Sequence, residues 1–134
     1  MRILVAEDDS RLRELLTEIL EAENHEVCAV SDGLAAFRLL TDADDAEFDF
    51  LLTDISMPGI TGFELARAVV AVRPDLPILY ISGTAASAMP HHGIVPAPLL
   101  QKPFRLADLL SAIEDCVWVW RMGGARKRLA RRGH

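Results

Sequence analysis

The stretch Phe50–Gly59, which reads FLLTDISMPG, decides the fold of this chain. Its first four residues are bulky and uncharged, which is typical of a strand covered on both faces of a parallel sheet. Asp54 follows at the carboxyl end of this predicted strand, where open α/β sheets have their ligand crevices. A carboxylate there can attack phosphorus if a cation offsets the repulsion between the two negative groups. We therefore expect further acids and a lysine at the ends of other strands.

The composition predicts a single soluble domain. The chain has 134 residues, of which 51% are hydrophobic and 25% charged, enough for one ordinary core. No stretch approaches the roughly 20 apolar residues of a membrane helix, and the apolar start at residues 3–6 runs directly into three acids, unlike a signal peptide. Cys28 and Cys116 have no metal-binding or redox spacing, so we expect reduced, buried thiols. These features predict a cytoplasmic protein without a membrane partner.

The net charge of −6 is unevenly distributed. Residues 121–134 contain six basic residues and no acid, which leaves 8 basic and 20 acidic residues in the remainder. Such an acidic body repels phosphate backbones, so nucleic acid is not an expected partner except at the tail. We predict a domain over residues 1–120, a helix break at Gly123-Gly124, and a basic, flexible tail over residues 121–134.

Strand and helix patterns alternate along the chain. Strands are predicted over residues 2–6, 26–30, 50–53 and 77–81, with a short fifth strand around residues 95–100. Helices are predicted from Ser10, capped by Asp9 or Ser10, then over residues 34–41, from Gly62 to a stop at residues 73–75, weakly over residues 85–92, and from near Arg105. The acidic residues 42–47 are predicted to form a solvated loop. Because the connections are too long for hairpins, we expect a parallel sheet with helices on both faces.

Two helices carry clear apolar stripes at helical spacing. The inward-facing residues are predicted to be Leu12, Leu15, Leu16, Ile19 and Leu20 in the first helix, and Leu106, Leu109, Leu110, Ile113, Val117 and Trp120 in the last. Trp118 and Val119 fall outside the second stripe and are predicted to be exposed. An exposed tryptophan beside a valine indicates a contact surface; alternatively, this end of the helix lies against its own core.

The residues that follow the predicted strands meet at one edge of a parallel sheet. This gathers Glu7, Asp8, Asp54, Ser82 and Lys102 into one pocket. Three carboxylates repel one another without a counter-charge, so the cluster implies a bound cation. Ligands that are all oxygen favour Mg²⁺.

In this order and spacing, the motifs resemble the receiver domain of two-component response regulators, of the chemotaxis type. The resemblance covers residues 2 to about 120. It rests on the acids after the first strand, the Asp-x-x-Met-Pro-Gly motif at Asp54, the Ser82-Gly83 pair and the triplet Lys102-Pro103-Phe104. It implies a doubly wound, flavodoxin-like α/β fold with five parallel strands in the order 2-1-3-4-5.

The resemblance also implies a reaction at Asp54. This aspartate would accept a phosphoryl group from a phosphohistidine on a sensor histidine kinase or a histidine phosphotransfer protein. Asp8, Asp54 and the main-chain carbonyl of Ser56 would bind Mg²⁺ directly, and Glu7 would hold the ion through water. The chain would promote only its own phosphorylation and dephosphorylation, so we do not expect it to be an enzyme.

Lys102 and Ser82 have roles implied by the same resemblance. Lys102 would pair with Asp54 at rest and with a phosphoryl oxygen afterwards, aided by a peptide bond before Pro103 that is typically cis in this family. Ser82 would move its hydroxyl onto another phosphoryl oxygen. Two residues depart from the family pattern. Glu7 stands where aspartate is most common. Leu99 stands where many relatives have an aromatic residue whose side chain swings inward on activation. The resemblance therefore does not imply this aromatic movement for the present chain.

Several functional hypotheses follow. The leading one is a stand-alone receiver that changes its surface toward an unidentified downstream protein, and the first alternative is an intermediate phosphate shuttle in a phosphorelay. A haloacid-dehalogenase-type phosphatase would need a second acid two residues after Asp54, where this chain has Ser56. A flavodoxin-like flavin binder would need a Ser/Thr-rich phosphate loop after the first strand, where this chain has acids. A pseudo-receiver is disfavoured because all five pocket positions are filled.

Overall fold

A computed structural model describes residues 1–42, 47–83 and 95–132. The described strands are β1 (Arg2–Ala6), β2 (Glu26–Val30), β3 (Phe50–Asp54), β4 (Ile78–Ser82) and β5 (Leu99–Gln101). The described helices are α1 (Ser10–Ala22), α2 (Gly33–Thr41), α3 (Gly62–Val72) and α4 (Leu106–Arg132). The helix predicted over residues 85–92 lies outside the described residues, as does most of the predicted acidic loop at 42–47.

The five strands form one parallel sheet in the order β2-β1-β3-β4-β5. This confirms the predicted fold class and strand order. β3 lies in the middle of the sheet and all five of its residues are buried, as the uncharged residues 50–53 predicted. β5 has only three residues, because the prolines at positions 96 and 98 cannot donate a main-chain hydrogen bond to the ladder.

Helices cover both faces of the sheet. On one face, Leu16 of α1 and Ile113 of α4 belong to the same buried cluster as Val5 of β1. On the other face, Leu40 of α2 and Leu65 of α3 belong to a second cluster. Each fully buried aliphatic side chain contributes about 1.5–3 kcal/mol, so these two clusters hold the four helices against the sheet.

Side chains cap the starts of the helices that follow the sheet edge. The carboxylate of Asp9 accepts the amide hydrogen of Arg11 at 2.9 Å, which confirms Asp9 as the cap of α1. Thr61 and Glu64 form a reciprocal capping box at the start of α3, with distances of 3.1 and 3.0 Å. Such caps satisfy amides that have no partner within the helix, and they determine where α1 and α3 begin.

The apolar stripes differ from prediction at two residues. Leu15 and Leu106 were predicted to face inward but are each 50% exposed, whereas Cys116 is buried as predicted. Leu15 lies about 100° around the helix from the buried Leu16, and Leu106 is the first residue of α4, before the turn that packs on the sheet. Cys116 and Cys28 are both free thiols, and Cys28 is only half-buried rather than buried.

α4 continues beyond the point where it was predicted to end. The helix runs for 27 residues to Arg132, straight through Gly123-Gly124, so the predicted break is wrong. A glycine costs about 1 kcal/mol in a helix but does not end it unaided, and residues 125–132 are mostly alanine, leucine, lysine and arginine, which favour helix. The flexibility of residues 121–134 stays a prediction. None of the described helices, α4 included, is both long and apolar enough to cross a membrane.

Candidate functional site

The carboxyl ends of four strands bring the predicted site residues to one edge of the sheet. Asp54 ends β3 and Ser82 ends β4, while Glu7 follows β1 and Lys102 follows β5. The amide of Lys102 donates a hydrogen bond to the carbonyl of Ser82 at 2.7 Å, which continues the sheet pairing by one residue. This main-chain pairing places Lys102 next to the end of β4.

Lys102 links the two buried carboxylates of the site. Its Nζ lies 2.8 Å from Oδ2 of Asp54, 3.2 Å from Oε1 of Glu7 and 3.4 Å from Oε2 of Glu7. Glu7 is fully buried and Asp54 is 3% exposed, so losing the ammonium group would leave uncompensated charge in the interior. The Lys102-Pro103 peptide bond is cis, as the family resemblance implied.

Glu7, Asp8 and Asp54 form a cluster of three carboxylates. One oxygen from each lies within 4.8 Å of the others. Glu7 and Asp54 are buried while Asp8 is exposed, so the cluster is open to solvent beside Asp8. A donor set made only of carboxylate oxygens suits a hard cation such as Mg²⁺ better than zinc or copper.

The electrostatics of the site are dominated by crowded negative charge. Burial raises the pKa of Glu7 to about 7, with the hydrogen bond and charge of Asp54 adding to the shift and Lys102 opposing it. Burial lowers the pKa of Lys102, but the hydrogen bond and charge of Asp54, followed by those of Glu7, raise it above its ordinary value overall. Lys102 is therefore a permanent cation at neutral pH, and a further cation beside Glu7 would lower the pKa of that carboxyl.

The loop after β3 directs main-chain groups toward Asp54. The amide of Ser56 donates to Oδ1 of Asp54 at 3.1 Å, so Asp54 is held through both carboxylate oxygens, one by Ser56 and one by Lys102. Gly59 has a φ of 81°, a conformation that glycine adopts without steric cost. The role of the Ser56 carbonyl as a metal ligand stays a prediction.

Gly62 supports the site in a way that the sequence analysis missed. Its amide donates to the carbonyl of Ile55 at 2.8 Å, and a Cβ at this position would lie 2.2 Å from the main-chain oxygen of Asp54. Only glycine permits α3 to begin so close to β3. The sequence did contain a sign of this close approach. The Thr61–Glu64 capping box makes Gly62 the first residue of α3, where the backbone conformation does not require glycine. A glycine at such a position indicates that there is no space for a side chain.

Arg13 is a second residue that supports the site and that the sequence did not predict. Its Nη1 donates to the main-chain carbonyls of Glu7 at 2.9 Å and Asp8 at 3.4 Å. These bonds tie the first turn of α1 to the acidic loop and so orient two of the three acids. No sequence pattern specifies this contact, because it depends on the angle between α1 and β1.

Tyr80 stands beside the atypical Leu99. The two residues are paired across β4 and β5, and the buried Tyr80 hydroxyl donates to the carbonyl of Val95 at 2.9 Å. The ring of Tyr80 also packs edge-on against Phe63, with 5.1 Å between the ring centroids. Burial raises the pKa of Tyr80 to about 12, so its hydroxyl stays a neutral donor. An aromatic ring is therefore present next to Leu99, but on β4.

The sheet order and the acids, hydroxyl and lysine at its edge define a receiver-type α/β domain, in agreement with the resemblance. A family model described as "Response regulator receiver domain" matches residues 3–114. The chain belongs to this family. Its place is therefore in two-component signalling, where receiver domains in general interact with sensor kinases or phosphotransfer proteins.

Individual relatives agree with this assignment. The chain is 42% identical to the response regulator receiver protein CpdR of Brucella abortus, over 84% of this chain and 93% of that protein. Among solved structures it is similar to a response regulator receiver protein of Sinorhizobium medicae, with 31% identity, coverage of 90% and 96%, and a TM-score of 0.80. It is also similar to TrrA of Thermotoga maritima in complex with Mg(2+)-BeF, with 27% identity, coverage of 86% and 97%, and a TM-score of 0.72. The chain spans less than half the length of several longer curated relatives.

Proposed function

We propose that this chain is a phosphoacceptor switch. Asp54 accepts a phosphoryl group from a phosphohistidine on a sensor histidine kinase or a histidine phosphotransfer protein. The observation that carries this proposal is the 2.8 Å contact between Lys102 Nζ and Asp54 Oδ2 inside a cluster of three carboxylates. A plain structural ion pair would not need two further acids beside it, because crowded carboxylates raise the free energy of the folded state.

The proposed reaction is a single displacement at phosphorus. A carboxylate oxygen of Asp54 forms a bond to phosphorus while the bond from phosphorus to the histidine nitrogen breaks and its electron pair returns to that nitrogen. Because the other ring nitrogen of the phosphohistidine carries a proton, the leaving group is a neutral imidazole. The ammonium group of Lys102 and the hydroxyl of Ser82 stabilise the charge on the phosphoryl oxygens.

The donor set fits Mg²⁺. In this proposal Asp8, Asp54 and the carbonyl of Ser56 would bind the ion directly, and Glu7 would hold it through water. The ion would supply positive charge that offsets the repulsion between Asp54 and the incoming phosphoryl group. Support comes from the three carboxylate oxygens within 4.8 Å of one another and from the relative of known structure that is in complex with Mg(2+)-BeF.

The output of the switch is a change in the surface presented to a downstream protein. Ser82 is 2% exposed at the end of β4, so recruiting its hydroxyl to a phosphoryl group would shift the carboxyl end of β4. In this proposal the chain acts in the cytoplasm, where sensor kinases present their phosphohistidines. It catalyses no reaction on other substrates beyond its own phosphorylation and dephosphorylation.

The proposal is tested by incubating the protein with MgCl₂ and acetyl phosphate and measuring its intact mass. We expect a gain of one phosphoryl group that is labile to alkali, absent in Asp54→Asn and absent when EDTA replaces MgCl₂. Asp9→Asn, which removes a neighbouring acid that only caps α1, is the matched control and should gain the group normally. An equal gain in Asp54→Asn, or steady phosphate release from many phosphate esters, would contradict the proposal.

A further inference from the structure

α4 presents an apolar surface that the rest of the described chain does not cover. Trp118 is 67% exposed, Val119 is 61% exposed and Met122 is 42% exposed. Among the residues of α4 whose side chains the structure describes, the last one that packs into the core clusters is Trp120. Large apolar residues grouped in this way mark an interaction surface, and we call these three residues the α4 patch.

The spacing of residues along α4 is that of a helix-pairing seam. Starting at Asp115, positions 115, 118, 122, 125 and 129 alternate in steps of three and four and carry Asp, Trp, Met, Ala and Leu. This is the repeat that pairs two helices along their length. Leu109, Ile113 and Cys116, which are buried against the sheet, fall between these positions on the opposite side of the helix. One side of α4 therefore packs against the domain core, and the opposite side is exposed at Trp118 and Met122, where a second helix can bind.

The charges on α4 are separated between its two halves. Residues 106–120 contain three acids and no base, whereas residues 121–132 contain six bases and no acid. Two such helices side by side in parallel would place six bases against six bases. In the antiparallel orientation each basic half meets an acidic half, which is the complementary arrangement. A copy of the same chain therefore matches this helix along both halves at once.

We propose that two copies of this chain form a homodimer by antiparallel pairing of their α4 helices. The two-fold axis passes near residue 120. In this register Trp118 lies opposite Met122 of the second copy, and the two Val119 residues meet near the axis. The same patch is used by both copies, as in other two-fold interfaces. This pairing uses none of the phosphoacceptor residues, so it stands independently of the proposed function.

The first test is the mass of the protein in solution. Light scattering after size exclusion is expected to give twice the chain mass of 14.8 kDa at high concentration and to fall toward the monomer on dilution. The double variant Trp118→Ser/Met122→Ser should be monomeric at every concentration, with an unchanged far-ultraviolet circular dichroism spectrum. Leu34→Ser is the matched control, because Leu34 is 50% exposed on α2, and it should dimerise normally.

The second test determines the orientation of the helices. In a Cys28→Ser background, Trp118→Cys chains mixed with Met122→Cys chains should form a disulfide-linked heterodimer under mild oxidation, because these positions are opposite each other only in the antiparallel pair. Cys116 is buried and its burial raises its pKa to about 11, so it does not compete. Preferential self-linking of Trp118→Cys would show a parallel pair and overturn the proposal.

Three other results would also overturn it. These are a wild-type monomer at the highest soluble concentration, a dimer that survives the Trp118→Ser/Met122→Ser change, and a monomer whose basic helix end binds duplex DNA instead. The last result would assign the basic half of α4 to a nucleic acid rather than to a second copy.

Discussion

Asp54 and Asp8 show how position gives two identical side chains different chemistry. Asp54 is 3% exposed and is held by Lys102 and by the amide of Ser56, which leaves its carboxylate in one orientation. Asp8 is exposed and belongs to the same cluster, so its carboxylate can exchange solvent for a cation. In the proposed function the buried Asp54 therefore takes the phosphoryl group and helps to bind the cation, whereas the exposed Asp8 only binds the cation.

Gly62 provides a prediction at the residue scale. Gly62→Ala would place a Cβ 2.2 Å from the main-chain oxygen of Asp54, so β3 and α3 must separate. We expect the free energy of unfolding to fall by about 1–3 kcal/mol, which is typical of forced overpacking. Urea denaturation followed by circular dichroism measures this loss.

The matched control is Gly123→Ala in α4. Apart from the adjoining backbone of α4 itself and the two neighbouring residues, no described heavy atom lies within 4 Å of the added Cβ, and alanine favours helix over glycine. We expect the free energy of unfolding to stay unchanged or to rise slightly. Equal losses in the two variants would show that the close approach at Gly62 does not determine the outcome.

At the scale of secondary-structure elements, α4 is held against the sheet by a narrow row of buried side chains. Leu109, Ile113 and Cys116 are at most 2% exposed, and the thiol of Cys116 contacts the carbonyl of Ile78 at 3.1 Å. Leu106 has the same apolar character and lies on the predicted stripe, yet half of it is exposed. The burial of a helix residue is therefore determined by its distance from the sheet as well as by its angular position.

This difference predicts unequal costs for two truncations in α4. Ile113→Ala removes buried methyl groups beside β-strand residues and should lower the free energy of unfolding by about 2–5 kcal/mol. Leu106→Ala removes a half-exposed side chain and should cost below about 1 kcal/mol. Urea denaturation of both variants against the wild type measures the difference, and similar losses would contradict the packing of α4 described above.

At the scale of the whole molecule, the site exists only when the sheet has assembled. Lys102 and Glu7 are 95 residues apart in sequence, and their contact needs β1, β3, β4 and β5 in their final order. The free energy of the sheet therefore holds three carboxylates together against their mutual repulsion. As a result, the free energy of unfolding depends on the ionisation of the carboxyl groups in the site.

This coupling predicts the pH dependence of stability in the absence of divalent cations. Burial raises the pKa of Glu7 from 4.5 to about 7, so between these values the folded chain holds a proton that the unfolded chain has released. The free energy of unfolding should therefore fall as pH rises from about 5 to 7 in EDTA. Urea denaturation at several pH values measures the slope.

Two comparisons identify the source of that slope. Glu7→Gln should reduce it, whereas Glu18→Gln, at an exposed position of α1, should leave it unchanged. MgCl₂ should also reduce the slope in the wild type, because a cation beside Glu7 lowers the pKa of its carboxyl. A slope that is the same in Glu7→Gln and in the wild type would assign the pH dependence to other groups.

The sequence by itself determined the order of the strands and helices, the parallel arrangement of the sheet and the identity of the residues that form the site. Hydrophobic periodicity reports which faces are buried, and parallel strands bring their carboxyl ends to one edge whatever the details of packing. Glu7, Asp8, Asp54, Ser82 and Lys102 could therefore be grouped before any distance was known.

Only the tertiary structure decided the contacts that depend on the distances and angles between packed elements. The guanidinium of Arg13 on the acidic loop, the approach of Gly62 to Asp54 and the bond from Tyr80 to Val95 each join segments whose relative placement no local pattern specifies. The same reason explains why Leu106 is exposed despite its place on the stripe. The end of α4 was misjudged for a different reason: the helix-favouring residues after Gly123-Gly124 outweigh the roughly 1 kcal/mol cost of each glycine.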